Sequence, residues 1–194
     1  LKKRLDQLSS EAEIAVREGC KHLILSDKKI SEKKAAIPMI LAFGAINSKL
    51  VNLGIRGFAS INVQTGEVLD THSFAVLLGV GATTINPYLV FDSIYQRYEK
   101  KLFGKFSYEE CIKRYIKSVD NGLLKIMSKM GISVLSSYRG GCNFESVGLS
   151  RAIVSQYFPG MISRISGIGI FGIEKKIKAI HKKAFQKNIS ILPI

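Results

Sequence analysis

Residues 58–86 read FASINVQTGEVLDTHSFAVLLGVGATTIN, and this stretch decides the fold class. The segment Phe58–Val63 predicts a strand, and Thr65-Gly66 predicts a turn directly after it. Asp70 is placed to cap a helix, and Thr83–Ile85 predicts the next strand. A strand, a helix and a second strand in succession are typical of a parallel sheet with right-handed crossovers.

The same alternation continues on both sides of this stretch. Towards the N-terminus, the sequence predicts a helix from the Ser10/Glu13 capping box to Gly19, a strand His22–Ser26, and a helix Ile37–Leu53 with Pro38 in its first turn. Towards the C-terminus, it first predicts a helix from Asn86-Pro87 towards Lys100 and a helix capped by Ser107 and Glu110 and ended by Gly131. Two strands are predicted after these helices, Ile132–Ser136 and Phe144–Leu149. A helix from Ser150 to Phe158 and a final basic helix complete the prediction. The expected fold is one α/β domain over residues 1–194, either part of a barrel or an open doubly wound sheet.

Composition narrows the function classes. The chain is 46% hydrophobic and 23% charged, which is typical of a globular domain, and it has no apolar run long enough to span a membrane. Its 29 Lys and Arg residues outnumber 15 Asp and Glu, giving a net charge of +14. We expect no nucleic-acid partner, because the lysines fall mainly on polar helix faces and no aromatic residues alternate with them.

The sequence contains few residues in patterns that carry chemistry. Gly167–Gly172 matches G-x-G-x-x-G, but no strand is predicted before it and no acidic residue follows at the ribose-binding distance, so we interpret it as a connection. His72 lies beside Ser73 without a nucleophile elbow, which favours a structural role. The scattered Cys20, Cys111 and Cys142 predict neither disulfides nor zinc, and indicate the cytoplasm.

Three basic residues flank the predicted strand Ile132–Ser136. Lys125 and Lys129 share one face of their helix, and Arg139 follows the strand. They are arranged either to hold an anion or to form a solvated face, and the second interpretation is the commoner one for lysines at this spacing.

Two long strings resemble the central domain of the glutamate synthase large subunit. The first is Thr65–Ala82, continuing through Ile85–Leu89, and the second is Gly122–Ser133. Shorter matches are Leu25–Asp27, Ser137–Gly140, Phe144–Ser150, Ser163–Ile165, His181 and Ala184-Phe185. The sequence departs from the family pattern at Lys28, Ser73 and Met161, where the family usually has Arg, His and Thr, and around Cys142, near which the family usually has Gln.

The resemblance implies a function for the whole polypeptide. Such an enzyme converts glutamine and 2-oxoglutarate to two glutamates with reducing equivalents from NADPH, NADH or ferredoxin. A glutaminase domain releases ammonia, and a second domain with FMN and an iron–sulfur cluster uses it. The central domain resembles a modified TIM barrel without flavin. Residues 1–194 would be its C-terminal part, a structural segment with no catalytic residue or cofactor of its own.

The resemblance also suggests where an ammonia passage or a domain interface would lie. Thr65, Gly66, Glu67 and His72 follow one predicted strand, and Ser137, Tyr138, Arg139 and Gly140 follow another. Since strands of a parallel sheet end at one edge, we expect both segments at that edge. A stand-alone α/β module that binds a phosphate-bearing ligand is the alternative function.

Overall fold

Helices and parallel strands alternate along the chain. The computed structural model describes residues 1–141 and 143–186. Within these ranges the helices are α1 (Lys2–Arg17), α2 (Met39–Asn52), α3 (Thr71–Gly79), α4 (Tyr88–Glu99), α5 (Tyr108–Lys129), α6 (Leu135–Tyr138), α7 (Arg151–Tyr157) and α8 (Ile170–Ala184). The strands are β1 (His22–Ser26), β2 (Ser60–Gln64), β3 (Thr84–Asn86), β4 (Glu145–Leu149) and β5 (Ile162–Ile168).

The first sheet has the order β1-β2-β3, and all three strands are parallel. Its register places Leu25, Val63 and Ile85 side by side, pointing into the main core. Helices α1, α2, α3 and α5 contribute the rest of this core, so they cover the same face of the sheet. The parallel α/β class is therefore confirmed, with these four helices on one side of the first sheet.

The opposite face of the first sheet has no helix packed on it in the described part of the chain. Ile24 on this face is 71% exposed. The other side chains on this face are polar, and the register gives three cross-strand rows, His22–Ser60, Ile24–Asn62–Thr84 and Ser26–Gln64–Asn86. Hydroxyls bridge the strands, because Ser26 Oγ donates to Gln64 Oε1 at 2.7 Å and Thr84 Oγ1 donates to Asn62 Oδ1 at 2.7 Å. We call this surface the uncovered face.

The second sheet pairs β4 with β5 in parallel, and α7 crosses between them. It joins the rest of the molecule through a core in which α7 packs against α2. Ser48 Oγ donates to the Tyr157 carbonyl at 2.9 Å, and a Cβ on Gly44 would lie 2.6 Å from the Phe158 ring. Close approach of α7 to α2 therefore requires a glycine at position 44.

The caps predicted from the sequence are confirmed at three helices. Asp70 accepts a hydrogen bond from the Ser73 N–H, Ser107 accepts one from Glu110, and Ser150 accepts one from Ile153. Each cap satisfies a backbone donor that the first turn of a helix leaves without a partner.

The start of α1 was wrongly predicted. The helix begins at Lys2, and Ser10 lies inside it with its hydroxyl bonded to the Asp6 carbonyl. Glu13 pairs with Arg17 and Lys49 instead of forming a capping box. Leu5 and Ala12 are buried on one face, so the apolar stripe extends the helix beyond the apparent cap.

The predicted strand Ile132–Ser136 is absent. The backbone forms helix α6 at Leu135–Tyr138, while Val134 and Leu135 are exposed. Tyr138 is 1% exposed, and its hydroxyl donates to the Ala75 carbonyl at 3.2 Å. The segment Ile132–Ser136 has no partner strand in the structure. Its conformation is determined by the packing of Tyr138 against α3.

Replacing Phe43 tests the main core. Phe43→Ala is expected to lower the free energy of unfolding by about 3–5 kcal/mol, because the ring is fully buried between α2 and the first sheet. Val51→Ala, in the same helix but 50% exposed, is the control and should change it by less than about 1 kcal/mol. Urea denaturation measures both, and equal losses would contradict this core assignment.

Candidate site at the carboxyl edge of the first sheet

Asp27 joins the ends of β1 and β2. We call the side of the first sheet where its strands end the carboxyl edge. The Asp27 carboxylate is 9% exposed there, and it accepts a hydrogen bond from Thr65 Oγ1 at 2.5 Å. It also accepts the Gly66 N–H, at 3.1 and 3.2 Å from its two oxygens. Thr65 is fully buried, so its hydroxyl has found a partner where water cannot supply one.

Glu67 extends this network to helix α2. Its backbone N–H donates to Thr65 Oγ1 at 3.1 Å, and its carboxylate accepts the Met39 N–H at 2.8 Å. Glu67 therefore caps α2 from a loop that follows β2. Desolvation of the carboxylate raises the pKa of Glu67, the charge of Asp27 raises it further, and the Met39 N–H opposes both.

Tyr88 covers the network at the first residue of α4. Desolvation raises the pKa of Tyr88 to about 12, and its hydrogen bond to the Asp27 carboxylate adds to the rise. A Cβ on Gly66 would lie 3.2 Å from Tyr88 Oη and 3.3 Å from a methyl of Leu89. The turn after β2 therefore has little room for a side chain.

The sequence predicted only part of this site. Thr65, Gly66 and Glu67 were expected at the carboxyl edge and are brought together there. Asp27 and Tyr88 were not among the candidates, although a carboxylate directly after a predicted strand was a usable signal for Asp27. His72 lies apart from them on the exposed first turn of α3, where its ring meets Phe144 edge-on at 6.3 Å between centroids.

The segment Ser137–Gly140 does not reach the carboxyl edge. Without the predicted strand, it follows α6, and Tyr138 binds the middle of α3. Gly140 lines a small cavity with Gly79 and Val80, where α3 ends and the chain turns back towards the start of β3. The two segments expected side by side therefore lie at opposite edges of the first sheet, and the predicted conduit between them is wrong.

The glycine pattern Gly167–Gly172 does follow a strand, contrary to the sequence prediction, because β5 ends at Ile168 and α8 begins at Ile170. Close packing of β5 against β4 explains why the first residue of the pattern is a glycine. A Cβ on Gly167 would lie 2.1 Å from the Gly148 carbonyl oxygen, so β4 and β5 approach too closely for any side chain.

Comparison with known proteins decides the family. The chain matches the model of the glutamate synthase central domain over residues 1–150. It is 52% identical over its full length to the "Glutamate synthase [NADPH] large chain" of Azospirillum brasilense, of which it covers 13%. The chain belongs to the glutamate synthase central domain family.

The chain is also similar to two further glutamate synthases. The corresponding large chain of Bacillus subtilis is 40% identical over 98% of the chain and 12% of its own length. The "Ferredoxin-dependent glutamate synthase" of Pyropia yezoensis is 40% identical over 96% of the chain and 13% of its own length. The chain thus spans about an eighth of the curated relatives that it matches.

The departures from the family pattern have local partners in this central-domain chain. The Ser73 hydroxyl donates to the Asp70 carboxylate at 2.7 Å, which strengthens the cap of α3. Lys28 Nζ lies 5.5 Å from the centroid of the Tyr88 ring, and Met161 packs at the edge of the core between α2 and α7. Cys142 lies outside the described residues.

Other candidate residues remain apart. Lys125 and Lys129 are exposed on α5, and the free Cys20 and Cys111 lie on α1's following turn and on α5. The described residues include no group of three or more His, Cys, Asp or Glu side chains placed to hold a metal ion. Nor is any helix among them long and apolar enough to cross a membrane.

Removing the Thr65 hydroxyl tests the network around Asp27. Thr65→Val preserves the shape but leaves the buried carboxylate and the Glu67 N–H each without one partner, so it should cost about 1–3 kcal/mol of unfolding free energy. Thr84→Val removes an exposed hydroxyl from β3 and should cost less than about 1 kcal/mol. Chemical denaturation of both variants provides the comparison, and equal costs would refute a special role for Thr65.

The pH dependence of stability distinguishes Glu67 from Glu13. The raised pKa of Glu67 means that its contribution is present below the unfolded pKa and is lost as the pH rises through the folded pKa. The Arg17 hydrogen bond lowers the pKa of Glu13, so its contribution is present above the unfolded pKa and is lost as the pH falls. As the pH is raised from 4 to 7, the Tm difference between variant and wild type should therefore become more positive for Glu67→Gln. The same difference should become more negative for Glu13→Gln. Thermal melts across this window measure both, and parallel curves would contradict the assignment.

Proposed function

We propose that this chain is a structural segment of a glutamate synthase large chain that makes two glutamates from glutamine, 2-oxoglutarate and a reductant in the cytoplasm. The observation that carries the proposal is 52% identity across the full length of the chain to an NADPH-dependent large chain. Residues 1–194 would form the C-terminal part of its central domain. Glutaminase and FMN domains of the same polypeptide are the proposed partners, with a small electron-donor subunit or ferredoxin supplying electrons.

The hydrogen bonds at the carboxyl edge support a structural role. The Asp27 carboxylate is bonded to Thr65 and Gly66, and the Glu67 carboxylate caps α2. An acid or base in catalysis needs a lone pair or a proton directed at substrate, whereas these groups hold backbone in place. In this proposal, FMN and the iron–sulfur cluster bind elsewhere in the polypeptide, and this segment supplies none of their ligands.

The carboxyl edge is also the proposed contact with a neighbouring domain or with an ammonia passage. Functional loops of parallel α/β folds gather at this edge. The uncovered face beside it presents Ser26, Gln64 and Asn86, whose hydroxyl and amide groups are suited to a polar conduit for a small neutral molecule. The passage role is restricted to this edge, because Ser137–Gly140 lies at the other one.

A glycine substitution at each edge tests the passage. In the whole large chain, Gly66→Val should reduce glutamine-dependent glutamate synthesis several-fold more than ammonia-dependent synthesis, because a side chain at position 66 presses on Tyr88 and Leu89 and displaces them at this edge. Added ammonia bypasses transfer from the glutaminase domain, so the ratio of the two rates measures the passage.

Gly140→Val is the matched control. Gly140 has φ +72° with open space around it, so a side chain there causes backbone strain without obstructing the carboxyl edge. Both rates should then fall by the same factor. A Gly66→Val enzyme with an unchanged ratio would refute the passage role, and a native polypeptide near 21 kDa would favour a stand-alone phosphate-binding module instead.

A further inference from the structure

Strand β1 has one unpaired edge. It is an outer strand of the first sheet, and its only strand partner among the described residues is β2. At the two ends of this pairing, the Ser60 N–H donates to the Lys21 carbonyl, and the Asp27 N–H donates to the Gln64 carbonyl. Because a parallel ladder uses every second residue of a strand, the odd-numbered residues of β1 make the bonds to β2.

The N–H and C=O groups of Ile24 and Ser26 therefore point away from β2. Both residues line a cavity of about 830 Å³, which we call the edge groove. Apolar side chains from α1, β1 and α2 form much of its surface, among them Leu8, Ala12, Leu25 and Ile46. A purely apolar ligand would leave the backbone groups of β1 without partners, whereas an extended peptide would pair with them. The edge groove is therefore suited to a strand.

Helix α8 ends beside the edge groove. It contributes Ile177 and Lys178 to the lining, and the loop after β1 contributes residues 34–37. His181 Nε2 donates to the Glu32 carbonyl of the same loop at 3.0 Å, which holds the C-terminal half of α8 against it. The chain that follows α8 therefore starts next to the groove.

The sequence after α8 has the alternation of a strand. Residues 187–194 lie outside the described part of the chain and read KNISILPI. Ile189 and Ile191 alternate with the polar Asn188 and Ser190. Isoleucines at every second position are typical of a strand with one apolar face.

This alternation matches that of β1. Leu23 and Leu25 pack against the main core, and the side chains between them lie on the uncovered face. A strand paired with β1 would place Ile189 and Ile191 beside these leucines and its own polar side chains beside the uncovered face. Residues 188–192 also equal β1 in length, which is five residues.

We propose that residues 188–192 bind in the edge groove as an added strand antiparallel to β1. The direction follows from α8, whose C-terminal half is held at the loop after β1. The added strand would run from the carboxyl edge of the first sheet towards its amino edge, where the strands begin. It would also cover an edge that could otherwise pair with another chain. The inference concerns a contact within the chain and does not depend on the proposed function.

Hydrogen exchange of the Ile24 and Ser26 amides tests the added strand. In the 194-residue protein both amides should be protected, since an amide bonded to a second strand exchanges only when that strand opens. Replacing Ile189 and Ile191 together by Asp removes the apolar contacts and should speed exchange of both amides by about tenfold or more. Exchange rates measured by NMR at one pH and temperature provide the comparison.

Asn188→Asp combined with Ser190→Asp is the matched control. It adds the same two negative charges to the segment but on its polar face, so both amides should exchange within about twofold of wild type. Equal acceleration by the two double variants would overturn the proposal, and so would amides that exchange freely in the wild-type protein.

A chain that ends at Gln186 provides a second measurement. Its Ile24 and Ser26 amides should exchange as fast as in the Ile189→Asp/Ile191→Asp variant, and the synthetic peptide KNISILPI should bind it saturably and restore their protection. Protection that survives this truncation would contradict the proposal. If the surviving protection increases with protein concentration, a second copy of the chain occupies the groove instead.

Discussion

The buried carboxylate of Asp27 is the constraint on which the carboxyl edge of the molecule depends. It replaces water as the acceptor for a threonine hydroxyl and a glycine N–H that the end of β2 buries. Through Thr65 it orients Glu67, and Glu67 in turn holds the first turn of α2. Four parts of the fold, the ends of β1 and β2 and the starts of α2 and α4, are thereby linked to one charged group. A carboxylate so enclosed is stabilising only while all of its partners remain, since an unpaired buried charge is costly.

The two edges of the first sheet differ in how their charges are balanced. At the carboxyl edge, Asp27 and Glu67 are satisfied by hydroxyl and backbone donors from neighbouring elements. At the amino edge, Arg56 has only neutral acceptors and Arg139 keeps a buried donor unpaired. The first arrangement is complete within the described residues, whereas the second leaves one buried donor without an acceptor.

Local signals predicted the starts of three helices, although the Ser10/Glu13 signal in α1 misled. The caps Asp70, Ser107 and Ser150 could be identified because each places an acceptor before a helix. The segment Ile132–Ser136 could not be assigned correctly, since its conformation depends on Tyr138 docking onto α3, about 60 residues earlier in sequence. For the same reason Asp27 and Tyr88 were missed, because their importance arises from neighbours that only the sheet brings together. The family resemblance was confirmed, whereas the placement of Ser137–Gly140 required the structure.

The order of strands in the first sheet has a consequence for how the chain folds. Each strand pairs with the one that precedes it in sequence, so β1, β2 and β3 can assemble as soon as residue 86 is available. These pairings join residues 38 and 22 positions apart, so they lose less entropy on loop closure than the contacts of α7 with α2 do. The contact between Ser48 and Tyr157 joins groups 109 positions apart and must form much later. During synthesis the first sheet can therefore collapse on the ribosome before α7 emerges, with the groove on α2 that receives Phe158 temporarily empty.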